Sequence, residues 1–234
     1  MKKLALSLLL FMAIGTISAQ TNIQNSGWLG LFNSTKFNEK WGFAFDAQFR
    51  SSDNWEYVRN VLIRPGITYY INNKNNVTAG YLYTTTYNKL VGTSNNTLTE
   101  HRAWEQYVLS HKLRSSFVSH RFRLEQRFIE QANGDEIFAQ RFRYFVRLIQ
   151  PLQGNVDVFN EGAFVALQNE VFFNIQNKEK LNNSLFDQNR FYIAGGYRFS
   201  KKVDIEAGYL NQYTNGIARN TSNRVAQLAL YTRF

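Results

Sequence analysis

Two short segments, 121-RFRLEQRF-128 and 141-RFRYFVRL-148, constrain the fold more than anything else in the chain. Arg121, Arg123, Glu125 and Arg127 share one parity, and Phe122, Leu124 and Phe128 share the other, with Gln126 the one lapse. Arg141, Arg143 and Arg147 stand in the same way against Phe142, Tyr144, Val146 and Leu148. A helix would scatter these charges around its circumference, whereas an extended strand sends residues i, i+2 and i+4 to one face. A strand with one charged face and one continuous apolar face asks for hydrocarbon on one side and an enclosed polar space on the other. The expected fold is therefore all-β, an antiparallel up-and-down transmembrane β-barrel.

The alternation runs through most of the chain. In 41-WGFAFDAQF-49, Trp41, Phe43, Phe45, Ala47 and Phe49 oppose Gly42, Ala44, Asp46, Gln48 and then Arg50; similar patterns recur in 77-VTAGYLYTTTY-87, 190-RFYIAGGYRF-199 and 203-VDIEAGYLNQ-212. Each segment has about the ten residues that a tilted strand needs to cross a bilayer. Short connections are expected near 38–40, 72–76, 113–116, 151–155 and 200–202. Longer polar ones are expected near 51–56, 88–98, 131–136, 174–188 and 214–223. Such unequal ends suit periplasmic turns and extracellular loops respectively. Pro65 predicts a bulge or weak pairing inside the stretch 57–71, and Pro151 predicts a turn. Bacterial single-chain barrels use even strand numbers. The expected count is twelve, with residues 21–27 as a short extra strand, and ten if the irregular stretch 156–173 contributes none.

The first nineteen residues read as a secretory signal peptide: Lys2 and Lys3, an apolar stretch from Leu4 to Ile17, and small residues before Gln20. Residues 20–234 then form a single barrel domain, expected in the outer membrane of a Gram-negative bacterium. The chain has no cysteine, so disulfides, thiolate metal sites and a lipid anchor are excluded. Removing Lys2 and Lys3 lowers the formal charge from +10 to +8. Much of that excess sits at inward parity, which favours a basic lumen over a nucleic-acid surface. An aromatic share of 16% with a mean hydropathy of −0.38 fits a chain whose alternate residues meet lipid. Phe234 ends a last strand with Leu230, Leu228 and Ala226 on its face, like the signal read by the barrel-assembly machinery, although Thr232 departs from the usual pattern. The expected partners are outer-membrane lipid, lipopolysaccharide and that machinery. No cofactor, metal or nucleic acid is expected.

Several stretches together resemble the DUF2490 family, outer-membrane proteins of Gram-negative envelopes without an established activity. They are 65-PGITYYI-71, 79-AGYLYTTTY-87, 100-EHRAWEQY-107, 119-SHRFRLEQRF-128, 141-RFRYFVRL-148 and 189-NRFYIAGGYRF-199. The resemblance implies an outer-membrane barrel and brings no catalytic residues with it.

The expected lumen-lining set is Arg121, Arg123, Glu125, Arg127, Arg141, Arg143, Arg147, Arg190, Arg198, Asp204 and Glu206. The expected lipid-facing set is Phe43, Phe45, Phe122, Leu124, Phe142, Tyr144, Val146 and Leu148. Symmetric closure of the connection 131–136 would set Glu125 against Arg143, Arg127 against Arg141, and Arg121 against Arg147. Glu105, Glu161, Glu170, Asp204 and Glu206 are the expected carboxylate partners, because buried arginines need them. Two readings follow: a salt-bridged structural barrel, or a small channel whose basic constriction favours anionic solutes. A lipid- or lipopolysaccharide-modifying enzyme is the alternative, with His101 between Glu100 and Arg102 as its best candidate. Ser110-His111 and Ser119-His120 cannot be working dyads, since strand neighbours point to opposite faces. A soluble periplasmic binding barrel is the remaining alternative.

Overall fold

The computed structural model describes residues 21–89, 96–154 and 157–234. The signal-peptide expectation, residues 1–19, lies outside them, as does much of the connection between 88 and 98. The alternating segments become β1 (Thr21–Lys36), β2 (Trp41–Ser51), β3 (Val58–Tyr70), β4 (Asn75–Asn88), β5 (Asn96–Leu113), β6 (Ser116–Glu130), β7 (Glu136–Pro151), β8 (Gly162–Gln176), β9 (Phe186–Ser200), β10 (Val203–Thr214) and β11 (Asn220–Arg233). Each strand pairs antiparallel with its sequence neighbour, and β1 closes the barrel against β11.

That closure corrects the expected twelve strands, and the alternative of ten, to eleven among the described residues. Residues 21–27 are not an extra strand. They extend β1 without a break, and β1 runs parallel to β11 from Thr21↔Asn220 to Ser34↔Arg233. An odd number of strands leaves one parallel seam, and it places Thr21 and Phe234 at opposite ends of the barrel. Beyond Trp28↔Arg50 the upper part of β1 has no β2 residues to pair with. Side chains at the end of β2 and in the β2–β3 connection cover it instead: Gly27 N–H donates to Ser51 Oγ at 2.8 Å and Asn25 N–H to Asp53 Oδ1 at 2.7 Å. Gly27 permits this because a Cβ there would collide with the Trp55 ring.

The connections alternate in length as the sequence implies, with one exception. Phe37–Lys40, Ile71–Lys74, Arg114–Ser115 and Lys201–Lys202 are tight turns at one end. At the same end, however, the expected short turn at 151–155 is a longer connection from Leu152 to Glu161. Pro151 is not in a turn. It ends β7 opposite Phe164, and the connection folds Phe159 into the barrel mouth, where it is 5% exposed. Gly162, at φ +117°, then starts β8, so the irregular stretch becomes a strand only from there. Pro65 weakens pairing as its missing N–H requires. The β3–β4 ladder passes from Ile63↔Tyr83 to Gly66↔Gly80 with no pair between, while the β2 side keeps Phe45↔Pro65.

The core is the lumen itself. Trp28, Phe164, Ala166, Tyr192, Ala194, Leu210 and Val225 form an apolar seam along β8–β11 and β1, joined by Phe159 at the tight-turn end. Leu62, Leu82 and Trp104 form a smaller cluster on β3–β5. Between these two apolar walls lie the charged residues.

Candidate functional site

The charged wall of the lumen follows from strand parity. β5 contributes Glu100 and Arg102; β6 Arg121, Arg123, Glu125 and Arg127; β7 Arg141, Arg143 and Arg147; β8 Glu170; β9 Arg190 and Arg198; and β10 Asp204 and Glu206. All of the sequence-selected lumen residues therefore share one enclosed space. Phe43, Phe45, Phe122, Leu124, Phe142, Tyr144, Val146 and Leu148 lie on the outer face. Phe234 closes the last turn of backbone pairing by donating its N–H to Ser34 O at 2.9 Å.

Carboxylates knit five of the arginines into one chain and hold four others in separate pairs and a triad. Glu100 accepts from Arg102 and Arg127, each at 2.6 Å. Glu125, 1% exposed, accepts from Arg141 at 2.7 Å and Arg143 at 2.5 Å, with Arg102 at 3.8 Å. Glu170 accepts from Arg143 and Arg121, both at 2.7 Å. Arg141 also reaches Asp187 at 2.9 Å. Nearer the tight turns, Asp204 holds Arg198 at 2.8 Å and Arg233 at 2.6 Å, and Glu206 pairs with Arg147. Across the barrel, Asp46 holds Arg64 at 3.0 Å. Ions buried this deeply need such partners, because the interior screens poorly.

The cross-strand register differs from symmetric closure. Glu125 faces Arg141, Arg123 faces Arg143, Arg127 faces Ala139 and Arg121 faces Phe145. The expected Arg127–Arg141 and Arg121–Arg147 oppositions do not occur, although Glu125 still bonds Arg143 diagonally. Of the expected carboxylate partners, Glu170, Asp204 and Glu206 serve. Glu105 points outward from β5, and Glu161 is exposed in the β7–β8 connection.

Below the vestibule at the long-connection end, three inward arginines form no direct ion pair among the described residues, although Glu170 stands opposite Arg190. Arg123 donates to Gln106 Oε1 at 2.6 Å and lies over Trp104. Arg50 donates to Gln48 Oε1 at 2.7 Å, its guanidinium 3.9 Å from the Trp28 ring centre. Arg190 donates to Gln188 Oε1 at 3.1 Å and lies over Trp28 and Phe172. Arg50 and Trp28 separate two spaces. Toward the long connections is a polar vestibule of about 290 Å3, lined by Gln24, Arg59, Asn60, Gln212, Thr214 and Asn223. Beneath it is a cavity of about 120 Å3 bounded by Asp46, Arg64, Arg121, Arg143, Glu170 and Arg190. Arg64 Nε and Arg121 Nε are buried at its wall without a protein acceptor. The lumen is thus narrow, and it carries more guanidinium than carboxylate at the vestibule floor.

The histidines assemble no such site. His101 faces outward, bonded to Tyr81 Oη and packed against Tyr83, while Glu100 and Arg102 face the lumen, so the three never meet. His111 and His120 also lie on the outer face, their Nε2 atoms 3.1 Å apart, with Tyr144 Oη at 2.9 Å from His120 Nδ1. Among the described residues no group of three or more His, Cys, Asp or Glu is placed to hold a metal ion.

Sequence reasoning missed Asp46, Arg50, Arg64, Glu100, Arg102 and Asp187 as members of the lumen set. The first five carry the same inward parity as their neighbours and were legible by that signal. Asp187 was not. Its parity points outward, but a bulge between Phe172↔Gln188 and Phe173↔Phe186 turns it toward Arg141.

A family model described as "Protein of unknown function (DUF2490)" matches residues 25–223. No curated protein matches the chain. Among solved structures, a NanC porin in its rhombohedral crystal form is similar at 11% sequence identity and a TM-score of 0.50, over 84% of this chain and 92% of that one. At that identity the likeness concerns the fold: a closed, mostly antiparallel barrel.

Proposed function

The chain belongs to the DUF2490 family of proteins of unknown function, and from that premise we propose that it is a non-enzymatic outer-membrane barrel that admits small anionic solutes at an arginine constriction. The observation that carries this reading is the pair Arg50 and Arg190. Both guanidinium groups rest on Trp28 and on neutral amides, at the floor of a vestibule open toward the long connections. Glu170 stands opposite Arg190 but is bonded to Arg121 and Arg143, so positive charge is in excess here, and in a poorly screened enclosure it attracts an anion and repels a cation. The name of the fold neighbour, a porin, fits a lumen that passes solutes. The cavity below the constriction is small and Phe159 fills the opposite mouth, so passage is slow and depends on that side chain yielding.

Planar-bilayer recording tests the proposal. Small conductance with a reversal potential shifted toward the anion is expected of the wild type. The double variant Arg50→Gln with Arg190→Gln should lose the shift while the barrel still folds. Cation preference, or an unchanged shift in the double variant, would refute it.

The continuous chain of partners through Glu100, Glu125 and Glu170 favours a second reading, a purely structural barrel braced from within. That reading expects no conductance from the wild type at any voltage.

A further inference from the structure

Among the described residues, the outer wall carries one carboxylate away from the strand ends, where hydrocarbon offers it no partner. Among the described strand residues, the other outward carboxylates and cations, Glu130, Glu136 and Arg224, lie near the long-connection ends. Glu105 instead sits near the middle of β5, exposed, on the same face as Tyr107. Gln126 of β6 donates its Nε2 to Glu105 Oε1 at 3.0 Å, and the Gln126 Oε1 atom is buried without a partner. Around the pair the wall is hollowed. Ala79 stands opposite Glu105, and the two line a groove of about 720 Å3 with Trp41, Tyr69, Tyr107 and Phe122, while Ala103 stands opposite Gln126 beside it.

Acyl chains fill a hollow but offer a carboxylate no donor, and an ionisable group facing hydrocarbon is expensive. From this pairing we infer that the Glu105–Gln126 hollow is the contact through which a second copy of this chain binds within the membrane. The pair is self-complementary. Two barrels side by side are related by a two-fold axis along the membrane normal, which brings each depth against itself. Glu105 and Gln126 lie at nearly one depth on adjacent strands. The second amide hydrogen of Gln126 in either copy can then donate to the remaining oxygen of Glu105 in the other, once in each direction. The aromatic side chains of each groove then pack against Ala79 and its neighbours in the other copy. The inference rests on the barrel lying in a membrane but not on any anion preference of its lumen.

Because the chain contains no cysteine, Ala103→Cys reports the contact directly. Native membranes carrying that variant are treated with copper phenanthroline and oxygen, which oxidises two facing thiols to a disulfide. A covalent dimer is expected, since bridging needs Cα atoms within about 7 Å, whereas Leu228→Cys on the far wall should stay monomeric. The mass in lipid nanodiscs, read by light scattering, should be that of a dimer for the wild type. It should fall to a monomer for Glu105→Leu, with the heat-modifiable barrel band retained. A monomeric wild type without the Ala103→Cys cross-link overturns the inference, as does a dimer that survives Glu105→Leu. A monomeric barrel that still shows anion preference would remove this inference and leave the lumen proposal standing.

Discussion

Glu125→Gln is the sharpest perturbation of the lumen, because one nearly inaccessible carboxylate on β6 organises three arginines from the two strands beside it, Arg102 of β5 and Arg141 and Arg143 of β7. The substitution keeps the shape and removes the charge. Arg141 binds one carboxylate oxygen at 3.0 and 2.7 Å through Nε and Nη2, and Arg143 binds the other at 2.5 Å; the amide keeps one oxygen as a neutral acceptor and sets an NH2 donor against the other guanidinium. Neither guanidinium is left bare, since Arg141 keeps Asp187 at 2.9 Å and Arg143 keeps Glu170 at 2.7 Å. Removing one partner of a buried pair typically costs about 3–5 kcal/mol, and these surviving contacts place the expected loss at the low end, about 3 kcal/mol. Were the lumen filled with water, the same pairs would behave like surface ion pairs, worth about 0–1 kcal/mol. The assay is a urea titration of the barrel in liposomes, following the fraction that keeps its folded gel mobility without heating. A loss below about 1 kcal/mol would refute the reasoning and identify a solvated pore instead of a packed ionic core.

Two further outcomes follow from named contacts. Gly80→Val should destabilise the barrel by about 1–3 kcal/mol through overpacking, because a Cβ there meets the Pro65 carbonyl and the Trp104 ring; Gly195→Ala, with open space around it, is the neutral control in the same titration. Deleting Phe234 should lower the folded protein recovered from membranes several-fold, read by immunoblot, while refolding from urea into liposomes stays nearly normal. Equal losses in both would show that Phe234 stabilises the barrel without acting as an assembly signal.

Much of this fold was legible from parity alone. Arg121, Arg123, Glu125 and Arg127 in β6, and Arg141, Arg143 and Arg147 in β7, share one parity against apolar neighbours, and only a strand between two different environments accommodates that. What parity could not fix was register and closure. The β6–β7 connection turns through Gln131 N–H to Asp135 O, with Gly134 at φ +86°, and pairs Glu130 with Glu136. That choice moves every opposition along the ladder, so Arg123, not Glu125, faces Arg143. The strand count failed for a related reason. No turn residue separates Gly27 from Trp28, yet the sequence gives no sign that β1 would run parallel to β11. The lumen's apolar seam was hidden too, because Tyr192, Phe164 and Leu210 point inward from strands whose outer faces are equally greasy. Phe159 lay beyond reach, since only the folded chain shows a connection entering the mouth. Parity also explains why His101 is no candidate for chemistry: the residues beside it belong to the other side of the wall.

The account's central claim is the direction of the side chains in β6 and β7, and a scan by single cysteines tests it most directly. Each residue from 141 to 148 is replaced in turn, spin-labelled in lipid bilayers, and compared for collision with oxygen, which concentrates in hydrocarbon, and with a water-soluble nickel chelate. Oxygen accessibility should rise at 142, 144, 146 and 148 and fall at 141, 143, 145 and 147, a strict period of two. A period near 3.6, or high oxygen accessibility at 141, 143 and 147, would contradict it.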